Sequence, residues 1–221
     1  MKNWLRANKG FVAFLFLIGI FRSAVAEWNP IPSGSMHPNL LEGDVVLVNR
    51  MAYNLKLPLT DVVLARLGEP QRGEVVTFNS PKDGTRLIKR LVALPGDVVE
   101  MRDERLVING QAASYALQDQ TFEALGGGIT HALRLTETMG GQPRQIQVLP
   151  QVEARRNFGP LTVSKDQYLM LGDNRDNSAD SRFIGMVPRD LLIGRAERVL
   201  LSADYQGNWM PRTERFGMAL R

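Results

Sequence analysis

The sequence contains no cysteine. That absence excludes disulfides, thiolate metal sites and a cysteine nucleophile. It contains only two histidines, His37 and His131, in 221 residues, so a Ser-His-Asp triad would have two candidate bases at most. His37 stands two residues from Ser35 on a stretch too taut to fold its ring back. His131 follows a glycine-rich tract. Neither has an orienting carboxylate at a fixed spacing, and both read as rim or surface histidines. A block of one charge sign is also missing. Twenty-seven Lys and Arg against 23 Asp and Glu leave a net charge of +4, with the arginines scattered. Nucleic-acid binding needs a clustered basic face, so no nucleic-acid partner is expected. The acidic stretch Gly172-Asp173-Asn174-Arg175-Asp176-Asn177-Ser178-Ala179-Asp180-Ser181-Arg182 has a calcium-loop composition. It lacks the glycine at the sixth place and the glutamate at the twelfth, so neither a metal nor another cofactor is expected.

What is present suffices for one core. Hydrophobic residues make up 44% and charged residues 23%, ordinary for a globular domain. The length allows a single domain with an insertion. The N-terminus stands apart. Residues 11–21 form an unbroken apolar run, with Lys2, Arg6 and Lys9 before it and Arg22 after it. Trp4 and Trp28 bracket the run, where interfacial aromatics are expected. A full membrane span takes ~20 apolar residues. The positive flank would stay inside and everything after Trp28 would lie outside. A cleaved leader fits the same residues, because Ala24-Val25-Ala26 is a small-x-small site after an apolar segment.

Beyond Trp28 the chain reads as mainly β, a sandwich or partly closed barrel. Strands are expected at residues 44–49, 73–78, 85–94, 98–102, 168–171 and 191–201, from β-branched and apolar content between turn formers. Leu106-Val107-Ile108 runs into the hairpin signal Asn109-Gly110. Residues 112–160 differ, with Gly126-Gly127-Gly128, several glutamines and few clear strands apart from 145–149. They read as an inserted small lobe that supplies no catalytic residue.

Three segments carry candidate chemistry. Ser35 lies in Pro32-Ser33-Gly34-Ser35-Met36-His37-Pro38, where the prolines forbid a helix and Gly34 lets a substrate backbone approach. Ser33 is a side-chain donor for an oxyanion there, although such strings are also common plain turns. Lys89 lies in Arg86-Leu87-Ile88-Lys89-Arg90-Leu91-Val92. Strand alternation puts it on one face with Leu87 and Leu91. A lysine there loses hydration and its pKa falls, the condition for a lysine base. Snorkelling from a strand edge is the competing reading. The third segment, 172–182, is either a surface loop or a dense hydrogen-bonding loop that supports a site.

Taken in order, these segments resemble the motifs of the bacterial type I signal peptidases, a Ser-Lys dyad family also known as leader peptidases. Pro32 to Pro38 is similar to the family's nucleophile box. Arg72-Gly73-Glu74-Val75-Val76 is similar to its next strand. Leu87-Ile88-Lys89-Arg90 with Leu94-Pro95-Gly96-Asp97 is similar to the general-base box. The 172–182 stretch with Gly185-Met186-Val187-Pro188 is similar to the closing box.

The resemblance implies a signal-peptidase-type β-sheet catalytic domain with an inserted β-rich lobe, preceded by one transmembrane helix. Residues 1–9 would be a cytoplasmic stub, 10–27 the anchor, and 28–221 the extracytoplasmic peptidase domain with 112–160 inserted. It implies Ser35 as nucleophile, Lys89 as general base, and the Ser35 N–H with the Ser33 hydroxyl as oxyanion hole. Ser178 would orient the Lys89 amine, and Asp180 with Arg182 would hold the closing loop. Ile31, Met36, Leu40, Val46, Leu87 and Ile88 would line small apolar subsites. The substrates would be preproteins cut after small-x-small sites, at the outer, periplasmic side of the bacterial cytoplasmic membrane, with the lipid bilayer as the other partner. Ala24-Val25-Ala26 would then look like a substrate itself. Two alternatives stand beside this: a dedicated Ser-Lys peptidase of a conjugation or pilus system, and a non-enzymatic membrane-anchored β module.

Overall fold

The structure is a computed structural model and describes residue 4, residues 8–60 and residues 62–220. Helix α1 (Lys9–Ala24) comes first, then β1 (Ala26–Pro30), β2 (Asp44–Asn49), β3 (Asn54–Lys56), β4 (Val63–Arg66), β5 (Val75–Asn79) and β6 (Arg86–Ala93). Next come β7 (Val98–Arg102), β8 (Arg105–Ile108), β9 (Gln111–Ala112), β10 (Ser114–Leu125), β11 (Gly128–Met139) and β12 (Gln142–Val148). The chain closes with β13 (Phe158–Thr162), β14 (Gln167–Leu171), the one-turn helix α2 (Ser181–Ile184), β15 (Val187–Pro188) and β16 (Leu192–Ser202). The mainly β reading therefore holds.

The largest sheet has seven strands in the order β1-β2-β16-β5-β6-β14-β15, paired antiparallel. A four-stranded sheet, β13-β7-β8-β9, carries the hairpin at Asn109-Gly110. Apolar side chains of the two sheets, among them Val92, Val99, Leu106 and Leu171, share one core cluster. A second cluster packs Ile31, Met36, Leu40, Val46 and Val48 against Val75 and Val199. A third joins Phe78, Leu91 and Met170 to Tyr53 and Leu192. In β2 the alternation of buried and partly buried residues is complete, as period-two patterning requires.

Two expectations need correction. The inserted stretch is not poor in strands: β10 and β11 are twelve residues each, and with β12 they form a three-stranded sheet. The alternation is hidden in the sequence because much of this sheet faces water. Phe122 and Ile129 are exposed, while Ala132 and Ile146 are buried. The Gly126-Gly127 pair makes the hairpin turn, with φ of 61° and 81°, values that favour glycine. The lobe is also shorter than 112–160, since β13 pairs with β7 in the four-stranded sheet. The second correction concerns the anchor bounds. The helix stops at Ala24, because Ala26 already pairs with Asn49 in β2 and Arg50 donates its N–H to the Val25 carbonyl. Among the described residues, no helix is long and apolar enough to cross a membrane. Lys2 and Arg6 of the expected stub lie outside the described residues.

The insertion is fastened by buried charge. Glu137 on β11 is fully buried and faces Arg175 through two bonds of 2.8 Å and Arg144 through one of 2.6 Å. Burial by itself would raise this carboxyl, but the two guanidiniums hold it well below the usual carboxylate range. The Tyr115 hydroxyl donates to the same carboxylate at 2.7 Å. Removing one partner of a buried ion pair leaves an uncompensated charge. Glu137→Leu is expected to lower stability by ~3–5 kcal/mol, measurable as a shift of the urea midpoint. A variant as stable as the parent would refute the account.

Candidate active site

Three elements converge at one point of the large sheet. The chain leaving β1 cannot form a helix because of Pro30 and Pro32. It tightens into a single 3-10 turn, Gly34–Met36, that carries Ser35. Lys89 sits mid-strand on β6, paired with Val76 of β5. The loop 172–180 leaves the end of β14, next to Arg90 in the sheet. The Lys89 Nζ lies 2.7 Å from the Ser35 Oγ and 2.9 Å from the Ile88 carbonyl oxygen. Ser33 directs its hydroxyl at the Ser35 Oγ, 3.5 Å away. Lys89 is only 3% exposed and Ser35 9%.

Burial disfavours the ammonium form and lowers the Lys89 pKa from its usual value to about 8. Asp180 and Asp173 oppose this, but each is committed elsewhere. Asp173 binds the Arg90 guanidinium in bidentate fashion at 2.8 and 2.7 Å. Asp180 binds Arg182 in the same way at 2.8 and 2.7 Å and also accepts the Gly172 N–H at 3.0 Å. The two carboxylates acting on the lysine are therefore already neutralised, and among the described residues it makes no ion pair. Chemically, the arrangement is a hydroxyl in contact with an amine that loses its proton near neutral pH, as base-activated nucleophiles require.

A small cleft opens on this pair, lined by Ser33, Ser35, Leu87, Lys89 and Ser178. An adjoining cleft of about 220 Å³ is lined by Pro30, Ile31, Pro32, Thr77, Leu87 and Ile88. Of the residues expected to line subsites, Ile31, Leu87 and Ile88 line this cleft. Met36, Leu40 and Val46 do not: they are fully buried in the cluster behind the cleft, because their strand or turn faces inward at those positions. The bond expected from Ser178 to the Lys89 amine is also not made. The Ser178 Oγ is buried without a partner, while the amine is occupied by Ser35 and Ile88.

Residues 1–201 match the protein family described as "Signal peptidase, peptidase S26". The chain belongs to the signal peptidase S26 family. Its activity is that of a serine peptidase removing signal peptides from preproteins. A signal peptidase I of Pseudomonas fluorescens is 37% identical over 207 residues, covering 88% of this chain and 72% of that protein. One from Pseudomonas aeruginosa is 34% identical over 224 residues, covering 96% and 78%. A crystal structure of a signal peptidase I from Enterococcus faecalis shares 32% identity, covering 57% of this chain and 96% of that one, with a TM-score of 0.36.

Two residues of this S26 peptidase have partners that its motifs do not announce, Asn174 and His37. Asn174 donates its side-chain amide to the Gly34 carbonyl at 3.0 Å and its backbone N–H to the Ser35 carbonyl at 3.2 Å. It ties the closing loop to the turn carrying Ser35. The signal was present, since asparagine in a turn-forming loop, here after Asp173, is a natural backbone partner. His37 was assigned no carboxylate, yet it has two: Glu42 and Glu123. Glu123 is 86 residues distant in sequence, so no local pattern could have paired them.

Gly172 makes the convergence possible. A Cβ there would lie 2.2 Å from the Ser178 Oγ and 2.6 Å from the Ser35 carbonyl oxygen, well inside van der Waals contact. Gly172→Ala is expected to push the closing loop off the Ser35 turn and lower kcat by roughly a hundredfold, with the far-UV circular dichroism retained. Steady-state cleavage of a preprotein checks this, and full activity would mean the close approach is dispensable.

Proposed function

We propose that Ser35 is the nucleophile and Lys89 the general base of this signal-peptide cleavage. The supporting observation is the 2.7 Å contact between the buried Lys89 amine and the Ser35 hydroxyl. The neutral amine would take the Ser35 proton as Oγ attacks the scissile carbonyl. The developing oxyanion would meet the Ser35 N–H and the Ser33 hydroxyl. Collapse of the tetrahedral intermediate would break the C–N bond, with Lys89 returning its proton to the leaving amine. Lys89 would then deprotonate the water that releases the acyl group. Ser178, whose hydroxyl lines the cleft without a partner, is the group to hold the amine once Ser35 is acylated. Asp180 and Arg182 hold the loop that places it.

Substrate would enter as an extended strand. β1 pairs on one side only, with β2. The β6 residues Arg86, Leu87 and Ile88 pair with β5, whereas the β14 pairing begins at Arg90. Two unpaired backbone edges thus flank the 220 Å³ cleft, the setting for strand addition. Ile31, Leu87 and Ile88 would form shallow apolar subsites, with the packed Met36, Leu40 and Val46 behind them setting the depth. Alanine-sized residues would fit at the first and third positions before the cut.

Membrane attachment is part of the same proposal. In α1 the residues Phe11, Phe14, Leu15, Phe16, Leu17 and Phe21 are all exposed. A helix apolar on every side suits a bilayer rather than water. Beside its end, the β3–β4 hairpin exposes Leu57, Leu59, Val62 and Leu64, and the Leu59 N–H donates to the Ser23 hydroxyl at 3.1 Å. Trp209 and Met210 add exposed apolar surface. The peptidase domain would sit on the outer, periplasmic side of the bacterial cytoplasmic membrane, held by one anchor segment around α1.

Ser35→Ala and Lys89→Ala are each expected to abolish cleavage of a preprotein in detergent, and activity surviving Lys89→Ala rules out the base. The sign of the pH dependence follows from the lowered pKa. Below about pH 8 the amine is protonated, so kcat/KM should fall roughly tenfold per unit of pH on the acid side. A profile flat through neutral pH would contradict a lysine base.

A further inference from the structure

His37 follows Ser35 by two residues but faces away from it. Its ring is held between two carboxylates, with Nδ1 2.6 Å from Glu123 Oε1 and Nε2 2.7 Å from Glu42 Oε2. Glu42 comes from the turn before β2, and Glu123 from β10 of the inserted sheet. All three side chains press on the backbone of Gly34. A Cβ at Gly34 would lie 3.0 Å from the His37 ring, 3.1 Å from Glu42 and 3.2 Å from Glu123. The His37 backbone N–H closes the turn onto the Gly34 carbonyl at 3.0 Å. A neutral imidazole has one N–H and satisfies one carboxylate, leaving a lone pair facing the other. Only the imidazolium donates to both.

We propose that His37, as an imidazolium, is a positioning residue that pins the turn carrying Ser35 to the inserted β-sheet. This rests on Ser35 being the nucleophile. Every charge facing the ring fits the role. Glu42 and Glu123 are anions in direct contact, and Arg212 behind Glu42 donates to the Glu42 backbone carbonyl at 2.9 Å. Burial by itself would lower the His37 pKa, but the bonds to Glu123 and Glu42 outweigh it and raise it to about 9. The same contact holds the Glu42 carboxyl below its ordinary value. Above about pH 9 the proton leaves, two carboxylates then face a neutral ring, and the turn loses its hold on the insertion. The lysine sets the acid limb of activity, and this clamp sets an alkaline limb close above it.

The test is the pH dependence of kcat and KM for preprotein cleavage by the full chain in detergent. The wild type should show an alkaline limb near the His37 pKa. His37→Met should lower kcat by about tenfold at the wild-type optimum with KM nearly unchanged, and should lack that limb. Adding Glu123→Gln to His37→Met removes the repulsion and should restore most of kcat, still without the limb. Glu123→Gln alone leaves one carboxylate on the ring, so its limb should move toward neutral pH. This variant decides the matter should His37→Met fail to fold by circular dichroism. An alkaline limb at the wild-type position in Glu123→Gln or in either His37 variant overturns the proposal. Ser35→Ala, run alongside, separates the two ideas. Its activity would sink the nucleophile assignment, whereas an inactive Ser35→Ala together with an unmoved limb in Glu123→Gln sinks the clamp alone.

Discussion

Lys89 is stripped of water by packing that also denies it a counter-ion. Burial by itself is a weak device, because a nearby carboxylate would restore the ammonium. Asp173 and Asp180 are near enough to do so, and both are taken up by arginines, Arg90 and Arg182. The lowered pKa of Lys89 therefore depends on two ion pairs that do not include it. Those pairs in turn fix the ends of the loop 172–182, and Asn174 in that loop fixes the Ser35 turn. One constraint, a buried lysine without a counter-ion of its own among the described residues, links strand β6, the closing loop and the turn after β1.

Most of this was legible where the signal is local. Alternation around Lys89 gave its face, prolines around Ser35 gave a non-helical turn, and the order of the segments gave the family. The strands 98–102 and 44–49 were readable to the residue, since both are bounded by turn formers. The three-stranded insertion was not, because a sheet wetted on one side and rich in glutamine carries no clean hydrophobic period. The subsite residues were half readable. A resemblance identifies the segment, but whether Met36 faces a cleft or a core depends on which way a 3-10 turn rolls, and only the packed structure decides that. Contacts spanning many residues, such as Glu123 to His37, were invisible for a related reason: nothing in one sequence records the pairing.

The insertion thereby changes standing. It offers no side chain to the cleft, yet it meets the site at three places: Glu123 at the Ser35 turn, Glu137 at Arg175, and Gln147, whose backbone bonds Asp173 and Arg175. Each contact falls on a segment that also touches Ser35 or Lys89. The lobe behaves as a brace, and its charges are spent on the loops that the catalytic geometry needs held still.

The two open backbone edges of β1 and β6 bear on how many different clients one such enzyme could serve. Peptide N–H and C=O groups are identical in every chain, so a groove that grips them reads no side chain at all. With substrate seated as proposed, discrimination would be confined to the few positions where Ile31, Leu87 and Ile88 leave little room. A helix or a folded hairpin has no free amides to offer such a groove. Only a segment that has not yet found its own partners could enter, which ties cleavage to the interval between export and folding.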